Sequence, residues 1–132
     1  MGVTYVPVTL RAPKGRRHAR VRMLVDSGAV YSLLPPRIWR RLGLKPKRKE
    51  LFQLADGSTV EREVSECLVA YGGNEAHSPV ILGAPGDDEP LLGAVTLETL
   101  GLMLDPFSRR LRPMRLVLMG LPVPRLSRGA LD

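Results

Sequence analysis

The chain has 132 residues, a formal net charge of +7 and a hydrophobic fraction of 44%. That length suits one domain with a modest core, and the apolar share excludes wholesale disorder. Cys67 is the only cysteine, which excludes an internal disulfide.

No apolar run approaches the ~18 residues of a membrane span, so no membrane association is expected. Met1 to Tyr5 lack the basic and apolar regions of a secretory signal. A cytoplasmic location is therefore expected by elimination. The positive charges fall in short runs: Arg16-Arg17 with Arg20 and Arg22, Arg37 with Arg40-Arg41, Lys45 to Lys49, and Arg109 to Arg115. They are spread along the chain, with no zinc-knuckle spacing and no interleaved aromatics. A solvated basic surface is the favoured reading, and a nucleic-acid partner is not expected.

In chain order, Val3 to Leu10 is rich in β-branched residues and predicts a strand. Ala12 to Arg16 is turn chemistry, and Ala19 to Val25 returns as the second strand of a hairpin. Asp26-Ser27-Gly28-Ala29 interrupts the pattern before the short apolar run Val30 to Leu34. Pro35-Pro36 opens a brief helix, Arg37 to Leu42, that Gly43 ends. Leu51 to Ala55 predicts a strand. Asp56-Gly57 predicts a two-residue hairpin turn, since both positions tolerate positive φ. Ser58 to Ala70 follows as a long strand, with Val60, Val64 and Leu68 on one face.

Gly72-Gly73-Asn74 is the next turn, Pro79 to Leu82 the next strand and Gly83 to Glu89 a loop. Leu91-Leu92-Gly93 is a short strand, and Thr96 to Leu100 fits one or two helical turns. Leu102 to Leu104 and Leu111 to Leu118 predict two more strands. The expectation is an all-β fold, a closed barrel or sandwich with one or two short helices. Residues 1–119 form the domain; residues 120–132 are a tail, disordered or in a dimer interface. A weak internal echo links Leu24 to Ala29 with Pro90 to Ala94, each an apolar strand followed by Gly and Ala.

Asp26 is the residue that needs a reason. It directly follows the apolar run Met23-Leu24-Val25, where an unpaired carboxylate is costly to bury. The bland reading is an Asx turn that ends a strand. Other candidates are weaker. His18, His77 and Cys67 are too few for a zinc site, and no metal or cofactor is expected. Asp87-Asp88-Glu89 reads as a solvated acidic loop, Cys67 and Trp39 as packing residues. No Gly-x-Ser-x-Gly elbow exists, and Gly83 to Gly86 lacks the Gly-Lys-Ser/Thr of a phosphate cradle.

Val25-Asp26-Ser27-Gly28-Ala29, the mid-chain Leu54-Ala55-Asp56-Gly57-Ser58 and the later Leu91-Leu92-Gly93 together resemble the retropepsin-like aspartic proteases, above all their single-domain prokaryotic members. The resemblance spans about Val3 to Pro113. It implies that Asp26 is the catalytic carboxylate of an active-site loop continued by Ser27, Gly28 and Ala29. Ala55, Asp56, Gly57 and Ser58 would be the tip of a flap over the substrate. Leu91, Leu92 and Gly93 would be structural, packed under the active loop. The helix after Gly93 lacks the Arg that viral members often carry there, and the flap offers only one glycine.

The resemblance further implies a homodimer, because one chain carries one such aspartate. Water activated between the two Asp26 carboxylates would attack a peptide bond of a peptide or protein substrate, with no metal. Two alternatives from other classes are a catalytically silent binding or dimerisation module of the same fold, and a basic nucleic-acid-associated β-barrel.

Overall fold

The computed structural model describes residues 2–114. The expected tail 120–132 and the end of the last expected strand lie outside them. The chain opens with the antiparallel hairpin of β1 (Tyr5–Arg11) and β2 (His18–Val25), in register from Tyr5 opposite Leu24 to Arg11 opposite His18. Alternation sets its inner face: Val6, Val8, Leu10, Ala19, Met23 and Val25 are buried. After the Asp26 loop come β3 (Ser32–Leu34) and α1 (Pro36–Leu42). Pro36 sits in the first turn of α1, where its missing N–H costs nothing, and Ile38 and Leu42 face the core.

The remaining elements are β4 (Arg48–Gln53), β5 (Thr59–Tyr71), β6 (Asn74–Leu82), β7 (Leu91–Leu92), α2 (Ala94–Thr99), β8 (Leu102–Asp105) and β9 (Arg110–Pro113). Seven strands form one sheet in the order β1-β2-β7-β3-β6-β5-β4, and β1 also pairs with β5. That extra pairing, Thr9 to Arg11 against Leu68 to Ala70, closes six strands into a barrel. β4 extends β5 outside the ring, and β8 with β9 makes a separate ribbon. The fold is all-β with short helices, as the sequence implies. Its core rests on Leu and Val, with Leu10, Met23, Leu34, Leu42 and Leu92 almost wholly enclosed.

Several boundaries differ from the sequence reading, each for a local reason. β4 starts at Arg48 rather than Leu51, because Arg48, Lys49 and Glu50 pair in register with Val64, Glu63 and Arg62. Its end and the next strand are joined through Leu54 to Ser58, not through a two-residue turn. Gly57 N–H donates to Leu54 C=O at 2.9 Å, and Leu54 N–H to Ser58 C=O at 2.7 Å. Only Gly57 has positive φ there, at 88°. A two-residue turn of the expected kind needs positive φ at Asp56 as well, whereas a three-residue connection needs it once.

β6 begins at Asn74 rather than Pro79, since the hairpin with β5 pairs Tyr71 with Asn74 and zips from there. α2 begins at Ala94 instead of Thr96, directly after Gly93. The face bearing Val60, Val64 and Leu68 does not stay inward along β5. Val64 is enclosed, but beyond Ser65 the enclosed residues are Cys67 and Val69, and Leu68 is half-buried. β5 serves two layers, pairing with β4 over its first half and joining the closed ring over its second.

Gly93 is where backbone approaches backbone. A Cβ there would lie 2.5 Å from the carbonyl carbon and oxygen of Tyr31 and 2.9 Å from the Ser32 nitrogen. Main chain cannot swing aside as a side chain can. Gly93→Ala is expected to lower stability by about 3 kcal/mol. Urea denaturation would check this, and a variant as stable as the parent would contradict the contact.

Candidate active site

Asp26 follows the last residue of β2 and is partly exposed. Its N–H donates to Leu92 C=O at 3.0 Å, so the parallel pairing of β2 with β7 carries straight into the loop. The loop then turns on itself. Gly28 N–H donates to Asp26 Oδ1 at 3.0 Å, and Ala29 N–H to Asp26 C=O at 3.1 Å. The exit is clamped to α2, with Ala94 N–H on Ala29 C=O at 2.8 Å and Val95 N–H on Val30 C=O at 3.0 Å. Ser27 and Gly28 are exposed. The Asx turn expected at the end of the strand is present, and it holds one oxygen of the Asp26 carboxylate.

Beneath the loop lies a buried hydroxyl relay that sequence reading missed. Gly93 N–H donates to Ser32 Oγ at 2.9 Å. Ser32 Oγ lies 2.6 Å from Thr96 Oγ1, which lies 2.7 Å from Ser78 Oγ. Ser78 Oγ in turn donates to Pro79 C=O at 3.1 Å. Each hydroxyl has one proton, so the relay runs consistently from the Gly93 amide to the Pro79 carbonyl. It ties β3, β6 and α2 together under Asp26, and among the described residues no buried side-chain polar atom lacks a partner. Lone Ser and Thr residues 18 to 64 positions apart give no sequence signal of such a network.

A cleft of about 630 Å³ opens beside the loop. Gly28 to Tyr31 form one wall, and Glu50 to Leu54 with Val60 form another. Leu33, Ile81 and Leu91 contribute further apolar surface. Tyr31 links the two walls: its ring meets Phe52 edge-on at 5.9 Å, and its hydroxyl accepts from Arg48 at 3.0 Å. The expected flap tip, Ala55 to Ser58, is exposed and does not line the cleft; the strands leading to it do. The Asp56 carboxylate accepts from the Ser58 hydroxyl and N–H, which hold it below the usual carboxylate range. Leu91 borders the cleft, while Leu92 and Gly93 are buried behind the loop.

One charged pair also borders the cleft. Arg62 Nε donates to Asp87 Oδ2 at 2.7 Å and Arg62 Nη2 to Asp87 Oδ1 at 3.3 Å. Asp87 Oδ2 also accepts the Ala84 N–H at 2.8 Å. Asp87 is therefore not part of a merely solvated acidic loop, because a two-pronged guanidinium from β5 holds it. Cys67 is fully enclosed, and burial, with Glu66 adding to it, pushes its thiol up to about 12, so it is no nucleophile at neutral pH. Trp39 packs against the core and donates from Nε1 to Gly83 C=O at 3.0 Å. Among the described residues no group of three His, Cys, Asp or Glu side chains could hold a metal.

A family model described as aspartyl protease matches residues 6–96. The chain belongs to the aspartyl protease family. Solved structures with the same fold include the EIAV protease complexed with the inhibitor HBY-793, at TM-score 0.59 and 19% identity, over 89% of this chain and 94% of that one. The retroviral protease-like domain of Ddi1 from Leishmania major aligns at TM-score 0.56 and 21% identity, over 88% and 91% of the two chains. A retropepsin-like aspartic protease from Rickettsia conorii aligns at 0.51 and 20%, over 79% and 77%. These likenesses show a retropepsin fold. Comparison with curated protein sequences finds no match. No helix among the described residues is long and apolar enough to cross a membrane.

Two outcomes are expected. Thr96→Val keeps the shape but removes the centre of the relay, leaving Ser32 and Ser78 without it; a loss of about 1–3 kcal/mol should appear in urea denaturation. An unchanged midpoint would contradict the relay. The second concerns Asp87, whose carboxyl is held below its ordinary value chiefly by the Arg62 hydrogen bonds. A depressed folded-state value means the stabilisation is complete above the unfolded-state value and is lost as pH falls through the folded one. Wild type should exceed Asp87→Asn by about 1–2 kcal/mol at neutral pH. The gap should close in acid; a gap independent of pH would contradict the pairing.

Proposed function

We propose that this aspartyl protease is an endopeptidase that works as a homodimer, with Asp26 from each chain facing its copy across a two-fold axis. One carboxylate acts as general base on a water, and the other, protonated, polarises the scissile carbonyl and then protonates the leaving nitrogen. Two facing carboxylates cannot both ionise cheaply, so the pair shares one proton. The observation that carries this reading is the Asp26 turn itself. Asp26 is partly exposed two residues before Gly28, where the cleft wall begins, and one oxygen of its carboxylate is oriented by the Gly28 N–H.

Further support comes from the surroundings. The chain has one Asp-Ser-Gly-Ala motif, and the echoing segment Leu91-Leu92-Gly93 carries no acid. That segment pairs in parallel with β2, Leu24 beside Leu91 and Val25 beside Leu92, so the second position is occupied by structure rather than chemistry. A two-fold axis supplies the missing carboxylate by bringing the same patch together twice. Val30, Leu51 and Leu54 are 53%, 70% and 47% exposed around the cleft, apolar surface that an extended substrate would cover. Ala55 to Ser58 would then be the flap tip that closes over it. The protease unit is residues 1–119, with 120–132 outside it. A cytoplasmic setting rests on composition, with one free buried cysteine.

Asp26→Asn keeps the loop and removes the base. Cleavage of an unfolded protein substrate should fall by at least about a hundredfold in kcat, the scale of lost general acid–base catalysis. Melting of the variant, followed in parallel, separates lost chemistry from lost folding. A folded variant that cleaves as fast as wild type would contradict the assignment. A wild type that binds peptide without turnover would instead mark a silent module of the same fold.

A further inference from the structure

A second groove, of about 680 Å³, runs between β2 and α1. Arg20 and Arg22 enter it from β2, Arg37 and Arg41 from α1, with Tyr5 and Glu89 at its border. The cleft beside the Asp26 loop shares no lining residue with it. Glu89 is the one carboxylate among the lining residues, and it already accepts the Tyr5 hydroxyl at 2.6 Å. Arg22 stacks over the Tyr5 ring at 4.4 Å, and Arg37 donates to Asp88 C=O at 3.2 Å. Arg20 and Arg41 are exposed and make no ion pair among the described residues. Four guanidiniums from two separate elements thus converge against one engaged carboxylate.

The other side of β2 gives this groove its second property. β2 pairs with β1 along its length, but on its far side it pairs only at Leu24 and Val25, with β7. Leu24 N–H points to that far side, donating to Pro90 C=O at 2.9 Å. Alternate residues of a strand share a side, so the N–H and C=O of Arg20 and Arg22 point the same way, towards the groove. Among the described residues no strand pairs with the Arg20 to Arg22 stretch of that side, and α1 packs beside β2 there.

We propose that this groove binds an extended acidic segment of a partner protein, added to the β2 edge as a further strand. The edge supplies alternating main-chain donors and acceptors, and the guanidiniums supply charge-assisted bonds to Asp or Glu side chains. A nucleic acid meets only the second requirement, since its backbone has no amide donors, and the Tyr5 ring already carries Arg22. A second copy of this chain fails on charge, because pairing two β2 edges sets Arg20 and Arg22 against their own copies. The segment 115–132 fails likewise, carrying three Arg and one Asp.

The test is fluorescence anisotropy on the full chain with a labelled peptide of about ten residues alternating Glu and Thr, a length that spans the open edge. Three comparisons accompany it: the same peptide N-methylated at alternate residues, an oligothymidylate of equal charge, and the double variant Arg20→Gln/Arg41→Gln. The peptide should bind wild type and lose at least about tenfold in affinity on N-methylation and in the double variant. The oligonucleotide should bind more weakly than the peptide. Failure of the peptide to bind wild type would overturn the proposal. So would N-methylated peptide or oligonucleotide binding as tightly as the parent peptide, which would mark a site for any polyanion. The N-methylation arm uses wild type alone and is unaffected by any folding defect of the variant. Unchanged affinity of the folded double variant would also overturn the proposal and place the peptide in the cleft beside the Asp26 loop, which Arg20 and Arg41 do not line.

Discussion

Three backbone hydrogen bonds join residues 26–30 to residues 92–95: Asp26 N–H to Leu92 C=O, Ala94 N–H to Ala29 C=O, and Val95 N–H to Val30 C=O. The position of the Asp26 carboxylate depends on this clamp, because the loop between Asp26 and Ala29 has little else to hold it. Main-chain bonds of this kind are indifferent to side-chain identity, provided that Gly93 lets the two segments meet. The constraint therefore falls on one glycine, and on the parallel pairing of β2 with β7 that sets the register of the whole loop.

The relay of Ser32, Thr96 and Ser78 continues the clamp downward into the barrel. Polar atoms this deep are costly unless every proton and lone pair is used. Here the Gly93 amide enters the relay at Ser32 and the Pro79 carbonyl ends it. The residue that has no room for a Cβ against Tyr31 thus also has its amide hydrogen-bonded, so packing and polar satisfaction reinforce one another at Gly93. Above the loop, Tyr31 reaches Arg48 at the base of the β4–β5 hairpin and Phe52 near its turn. The cleft is then bounded on one side by a clamped loop and on the other by a hairpin whose tip is exposed.

Much of the fold was legible in the sequence. The β1–β2 hairpin follows from alternating Val and Leu around a Pro-Lys-Gly turn, and α1 from Pro36 at its start and Gly43 at its end. The echo between Leu24 to Ala29 and Pro90 to Ala94 became a parallel pair of neighbouring strands. What could not be read depends on tertiary partners. Arg48, Lys49 and Glu50 have no strand pattern of their own and become β4 only because β5 lies beside them. The switch from Val64 to Cys67 and Val69 as the enclosed residues of β5 reflects two different neighbours, which no single period describes. Asp56-Gly57 by itself reads as the turn both residues tolerate, but the hairpin uses the one that needs positive φ at Gly57 alone. At the site, Asp26 was visible from its place after an apolar strand. Ser32, Ser78, Thr96, Arg62 and Asp87 were not singled out for the site, because each matters only through a partner distant in sequence.

The proposed chemistry joins the one clamped carboxylate of each chain to its copy, so the active unit is divided between two chains and neither is sufficient. The most direct measurement is subunit mixing. A fixed concentration of wild type is titrated with a folded Asp26→Asn variant, and peptide cleavage is followed after the subunits have exchanged. Shared catalysis predicts that activity falls towards zero as mixed dimers replace wild-type dimers. Activity per wild-type chain that stays constant at a large excess of the variant, with exchange shown to be complete, would contradict it and place the whole reaction within a single chain.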